Sequence, residues 1–171
     1  MKIFDFNEQL PIGKTGELIF SQIYKNLNIK LSEDKRWDFE LGDKIKIELK
    51  TDTYNMEATE NFFMELYSDS DKGTLGGPWR ALSDGVEYFV YFYISNGTFF
   101  WFKTQELCNA LENIIAQFNL KLKAISNKGW TTQGYLINRD LLKNVICQST
   151  LLIWKITYYD MIKNQYLLLL I

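Results

Sequence analysis

Asp38, Glu48 and Lys50 are the residues whose types and spacing could do chemistry: one acid, then a Glu-Leu-Lys triplet beginning ten residues later. They lie in the stretch Arg36-Trp37-Asp38-Phe39-Glu40-Leu41-Gly42-Asp43-Lys44-Ile45-Lys46-Ile47-Glu48-Leu49-Lys50, which reads as two short alternating strands about a glycine turn. Two carboxylates brought together can hold a divalent cation, and a lysine beside them can orient a water molecule. The same residues also describe a hairpin with one solvated, mixed-charge face. The elements around them must separate the two readings.

Alternation fixes the phase of the hairpin. Ile45, Ile47 and Leu49 share one face, so Lys44, Lys46, Glu48 and Lys50 share the other; on the first strand Trp37, Phe39 and Leu41 oppose Asp38 and Glu40. A two-residue turn at Gly42-Asp43 would set apolar against polar. A three-residue connection over Gly42, Asp43 and Lys44, with a bulge, sets Asp38 opposite Glu48 and Glu40 opposite Lys46. Burial of one apolar face selects this register. It places two carboxylates side by side, which repel unless a cation lies between them.

Residues 15–28 carry a helical stripe of Ile19, Phe20, Ile23, Tyr24 and Leu27, with Thr15 as expected N-cap. Glu17 falls at the edge of that stripe and leans toward whatever the helix covers. An acid in a first turn also complements the helix dipole without further purpose.

Asn61 to Tyr67 reads as a third strand and Ser68 to Pro78 as a glycine-rich loop, either a plain connection or a substrate contact. A short helical turn spans 80–85. Tyr88 to Ile94 and Thr98 to Phe102 form a hairpin about Asn96-Gly97, its first strand apolar enough to be covered on both faces. Their aromatics are more often core than a base-stacking platform. Residues 104–118 form an amphipathic helix on Leu107, Leu111, Ile114, Ile115 and Phe118. Residues 128–137 are expected as an edge strand, and 139–147 as a closing helix. The pattern indicates one α/β or α+β layer domain over residues 1–148, followed by an apolar C-terminal extension, 149–171.

With 171 residues, 47% hydrophobic and 16% aromatic, the chain has ample material for one core. Lys+Arg of 19 against Asp+Glu of 21 leaves a formal charge of −2, so global charge gives no case for nucleic acid. A basic cluster of Lys25, Lys30, Lys35, Arg36, Lys44, Lys46 and Lys50 nevertheless surrounds the candidate centre in sequence. There is no histidine, which excludes a Ser-His-Asp triad, a Cys-His pair, a His-ligated zinc and a His base. Hydrolysis would run on carboxylates, Lys, Tyr or a metal. Cys108 and Cys147 lack zinc-ligand spacing and are expected as reduced core residues of two helices. The N-terminus lacks the apolar core of a signal peptide, and Lys155, Asp160 and Lys163 interrupt the apolar tail. The expectation is a soluble, intracellular (cytoplasmic) protein with no membrane partner.

In its order of elements, a helix with Glu17, a strand with Asp38, a turn, and a strand ending Glu48-Leu49-Lys50, the sequence resembles the PD-(D/E)xK nuclease superfamily over roughly residues 10–105. Trp37 stands where that motif's proline would be. The resemblance implies a restriction-endonuclease-like mixed central β-sheet flanked by helices, and hydrolysis of DNA phosphodiester bonds. It implies Mg²⁺ or Mn²⁺ held by Asp38, Glu48 and the Leu49 backbone carbonyl, Glu17 serving a second metal or the first through water, and Lys50 orienting the attacking water. By analogy of size the chain is similar to Holliday-junction resolvases and small phage-type members. Resolvases generally act as dimers, which makes the apolar tail a candidate homodimer contact; a non-functional extension is the equal alternative. Lys14, Lys25, Lys44, Lys46 and Arg80 are the candidates for phosphate contact. The competing reading is a non-catalytic nucleic-acid- or protein-binding domain, on the same fold or another α/β fold, with the hairpin face merely solvated.

Overall fold

The computed structural model describes residues 6–42 and 44–151, with the side chains of 11–42 and 44–147. Helix α1 is Phe6–Ile23. It starts earlier than the stripe predicts and takes Pro11 into its interior, so Thr15 is not an N-cap; its hydroxyl instead donates to the Pro11 carbonyl at 2.8 Å. The stripe buries Ile19, Phe20 and Tyr24, but Leu27 falls in a 3₁₀ turn, Lys25–Leu27, and is 53% exposed. Asn28, in the left-handed region at φ 55°, ends that turn. Strand β1, Ile29–Leu31, follows, then β2, Phe39–Leu41, and β3, Ile45–Asp52.

Strand β4 is Asn61–Asp69 and folds back through a turn at Gly73 (φ 66°) into β5, Thr74–Leu75, so the expected loop is in part a hairpin. Helix α2, Gly77–Ser83, opens on Pro78 at its start, where a missing N–H is harmless. Strands β6, Tyr88–Tyr93, and β7, Thr98–Lys103, pair about the Asn96-Gly97 turn as expected. Helix α3 is Thr104–Phe118, with Leu107, Leu111 and Ile114 inward and Phe118 half exposed at its last turn. Strands β8, Lys123–Ser126, and β9, Thr131–Asn138, come next. The closing helix expected at 139–147 does not form. A 3₁₀ turn, Arg139–Leu142, capped by the Asn138 side chain on the Asp140 N–H, leads instead into β10, Ile146–Leu151. Cys147 therefore lies on a strand and is exposed, not buried in a helix; Cys108 in α3 is buried as expected.

Among the described residues two sheets result, one six-stranded in the order β1-β2-β3-β6-β7-β10 and one four-stranded in the order β5-β4-β9-β8. The first is mixed: β3 and β6 are parallel, joined by a crossover through β4, β5 and α2, and the other pairs are antiparallel. The second is antiparallel, and β9, expected at an edge, is internal between β4 and β8. The larger sheet is central. One face packs Phe39, Ile47, Leu49, Val90, Phe92, Phe99 and Trp101 against Ile19 and Phe20 of α1 and Tyr24 just after it. The other packs Phe89, Tyr91, Tyr93 and Phe102 against Phe62 and Met64 of β4, Ile137 of β9, and Leu107, Leu111 and Ile114 of α3. Residues 89–93 of β6 are buried throughout, as a central strand covered on both sides requires.

The fold is thus a single α+β domain with a mixed sheet between α1 and a second layer of sheet and helix. Strand β10 crosses the expected boundary at 148/149; residues 152–171 of the expected extension, and Asp43 of the turn, lie outside the described residues. No helix among the described residues is long and apolar enough to cross a membrane.

Candidate active site

Strand β3 carries Ile47 and Leu49 into the α1 core, so Lys46, Glu48, Lys50 and Asp52 face the second layer. The register with β2 is the one burial demands: Phe39 opposes Ile47, Glu40 opposes Lys46 and Leu41 opposes Ile45 across a three-residue connection, with Gly42 at φ 61°. Asp38, one residue before β2, comes level with Glu48. Its N–H still donates to the Ile47 carbonyl at 3.1 Å, and its carboxylate accepts the Leu49 N–H at 2.8 Å. A side chain thereby replaces the ladder where β2 ends. The N–H and C=O of one strand residue point to the same edge, so the Leu49 carbonyl faces that uncovered edge beside Asp38.

Trp37 departs from the alternation. It precedes the strand and turns to the opposite face from Phe39, where its indole donates to Glu40 at 3.0 Å and the Lys46 ammonium sits 4.2 Å from its ring centre.

The two acids are poorly solvated together. Burial raises Asp38 above the usual carboxylate value, against the Leu49 N–H and Arg80, which pull it down. Burial and then Asp38 carry Glu48 to about 8, against Arg80 and Lys50. Glu48 Oε1 lies 3.9 Å from the Arg80 guanidinium, while its buried Oε2 has no hydrogen-bond partner. A buried, unpartnered carboxylate oxygen next to a second carboxylate is an arrangement that a cation would relieve.

Glu17 approaches from the α1 layer, where Gly16 crosses β3 so closely that a Cβ would come 2.0 Å from Thr51 Oγ1. Burial and then Asp38 raise Glu17, with Lys14 opposing, so it shares the Asp38 field from the far side of the sheet. Among the described residues no three acid or cysteine side chains are close enough to form a ready metal cage; Asp38 and Glu48 form the centre and Glu17 its margin.

Of the expected phosphate contacts, Lys14 and Lys25 are exposed on α1 and the turn after it, and Lys44 is exposed in the hairpin connection. Lys46 reaches the Asp84 carbonyl at 3.4 Å. Arg80 is drawn inward: it donates to the Arg36 carbonyl at 2.9 Å, pairs with Asp84 at 3.5 Å and faces Glu48.

Glu65 is the residue that sequence reading misses. From β4 it places Oε2 3.9 Å from the Lys50 ammonium, with only 18% of its side chain exposed. Asp52, further along the Glu48 face, is taken by the Tyr91 hydroxyl and the Tyr54 N–H, and anchors the end of β3. One signal for Glu65 was in the sequence, the pair Gly76-Gly77: a Cβ on Gly76 would come 2.3 Å from Glu65 Oε1, and one on Gly77 2.6 Å from the Glu65 carbonyl. Comparison with family models, with curated proteins and with solved structures gives no match for this chain.

Proposed function

We propose that this chain is a divalent-metal-dependent nuclease of the restriction-endonuclease-like class that hydrolyses DNA phosphodiester bonds, with branched DNA of the Holliday-junction kind the first substrate to test. The observation that carries the reading is the pairing of Asp38 with Glu48, buried side by side with one Glu48 oxygen unpartnered, and Lys50 next along the same strand face. A mixed sheet with α1 on one face, and α2 in the crossover between parallel β3 and β6, supports it further.

Asp38, Glu48 and the Leu49 carbonyl would hold Mg²⁺ or Mn²⁺ in an all-oxygen site, with Glu17 at its outer edge. When bound, the ion supplies positive charge to the phosphoryl group and acidifies water. Lys50 donates to the attacking water and to a non-bridging phosphoryl oxygen, holding the nucleophile in line. Asp38, fixed by the Leu49 N–H, keeps one acceptor lobe toward the centre. Lys14 of α1, Lys25 in the turn after it and Lys44 of the hairpin are exposed and offer charge to the flanking phosphates.

The Arg80–Glu48 and Lys50–Glu65 pairs favour a second reading, a binding module whose charges merely neutralise one another. Cleavage separates the two. Labelled four-way junctions, linear duplex and single strands are incubated with the protein and Mg²⁺ or Mn²⁺. Metal-dependent cutting is expected, reduced about 100-fold or more in Lys50→Ala. No cutting by the wild type of any substrate, or unchanged cutting by Lys50→Ala, sinks the nuclease reading.

A further inference from the structure

We infer that Glu65, on the second sheet, is a positioning residue that fixes the Lys50 ammonium over the Glu48 face; its catalytic meaning rests on the nuclease reading, its geometry does not. Lys50 is a long side chain, 37% exposed, which left alone would sample many rotamers. The partner that limits it is more buried than Lys50 itself and comes from a different layer.

Glu65 is in turn held by the chain around it. It opposes Gly134 on β9, where a Cβ would come 2.6 Å from the Met64 carbonyl, 2.7 Å from the Phe63 ring and 2.9 Å from the Glu65 Cα. Next to it the β4–β9 ladder shifts register, between Glu65 and Tyr67. On its other side run Gly76 and Gly77. Gly77, at φ 46°, needs glycine for its backbone as well as for space. Gly76 does not: its φ of −131° suits any residue, so what excludes a side chain there is the Glu65 carboxylate. The Gly76 N–H donates to the Leu66 carbonyl at 2.9 Å, which keeps this strap against β4. Gly76 thus leaves room for the carboxylate, Gly77 and Gly134 let the neighbouring backbone close on β4, and that acid meets the lysine of the candidate site.

At 3.9 Å the pair is an ion pair and not a hydrogen bond, and a partly exposed pair of this kind adds little stability. Its effect is on where the ammonium spends its time. Glu65 transfers no proton and touches neither metal nor substrate; it acts through Lys50.

The test reads Lys50 directly. Competitive acetylation of the folded protein, followed by mass spectrometry, gives the rate at Lys50 relative to exposed Lys14 in the same tube. Glu65→Gln is expected to raise the Lys50 rate several-fold. Gly76→Ala, which keeps the acid but pushes its carboxylate aside, is expected to raise it as well, covering the case in which Glu65→Gln folds poorly. Where the wild type cuts DNA, Glu65→Gln is expected to lower kcat about 10-fold with KM unchanged, and to add nothing in a Lys50→Ala background. Mn²⁺ affinity by calorimetry is expected to be the same in Glu65→Gln as in the wild type. An unchanged Lys50 acetylation rate in both variants overturns the positioning role, and a loss of Mn²⁺ affinity in Glu65→Gln replaces it with a ligand role. Failure of the wild type to cut DNA would count against the nuclease reading alone, because the acetylation result stands without it.

Discussion

Inside the folded chain Glu48 keeps its proton up to about 8, against an ordinary value of 4.5, because burial and the neighbouring Asp38 both oppose its charge. The native state therefore binds more protons than the unfolded state between those two values. The stability belonging to protonated Glu48 is fully present below the unfolded value and is lost as pH rises through the folded one. The loss is on the order of a few kcal/mol and is shared with Asp38, whose titration is linked to it. Glu48→Gln keeps the shape and has no charge to bury. In metal-free urea titrations the wild type is expected to weaken from about pH 5 to about pH 8, while Glu48→Gln, which keeps the raised Asp38 and Glu17, weakens less over the same range. Added Mn²⁺ should reverse the weakening of the wild type at pH 8, by about 2.7 kcal/mol at one hundred times its Kd, and leave Glu48→Gln unmoved. Equal pH slopes in the two proteins would mean that another group titrates. A residue that costs stability when charged, and recovers it with a cation, is better suited to a metal site than to a solvated hairpin face.

At the level of elements, α1 and β3 meet at a point where there is room for no more than a hydrogen. Gly16 brings the helix against Thr51, and Glu17, the next residue, reaches the Asp38 field because the approach is that close. Gly16→Ala adds a Cβ that would sit 2.0 Å from Thr51 Oγ1, so helix or strand must shift. It is expected to destabilise by about 1–3 kcal/mol in urea, with much of the loss recovered in Gly16→Ala/Thr51→Ala. Full stability of the single variant would show that the contact yields freely. Sequence patterning could not show this contact, since Gly16 reads as an ordinary helical glycine. What it did show was local: the Asn96-Gly97 hairpin, the 104–118 helix, and the register of β2 on β3, each set by a turn residue or a period within one segment. Strands β1 and β5, of three and two residues, are too short for alternation to register. The expected helix at 139–147 became a 3₁₀ turn and a strand because Asn138 caps only one turn and β7 offers Ile146 to Leu151 an open edge. Asp38 and Glu48 were legible because one hairpin holds both; Glu65 was not, because it meets Lys50 only after two sheets have docked.

Across the whole molecule the candidate site straddles the central sheet, and each half of it depends on a separate core. Glu17 arrives with α1, whose packing centres on Phe20, fully buried against Phe39, Tyr24, Phe99 and Trp101. Glu65 and Arg80 arrive with the second sheet and α2, whose docking centres on Phe62. That ring is also fully buried, with centroids of Tyr91, Phe100, Phe102 and Tyr93 between 4.8 and 5.9 Å away. Truncating either phenylalanine leaves a large cavity, so Phe20→Ala and Phe62→Ala are each expected to cost about 3–5 kcal/mol. Their consequences for the site should differ. Phe62→Ala loosens the layer that carries Glu65 and is expected to raise Lys50 acetylation under conditions where the protein remains folded. Phe20→Ala loosens the opposite layer and should leave Lys50 protected while weakening the hold on Glu17. Because the sheet is shared, both variants should still unfold in one transition, with far-UV circular dichroism and tryptophan fluorescence coinciding. Equal effects of the two variants on Lys50 would mean that the layers do not divide the site between them. In that case the whole domain, and not the docking of the second sheet, sets the position of the lysine.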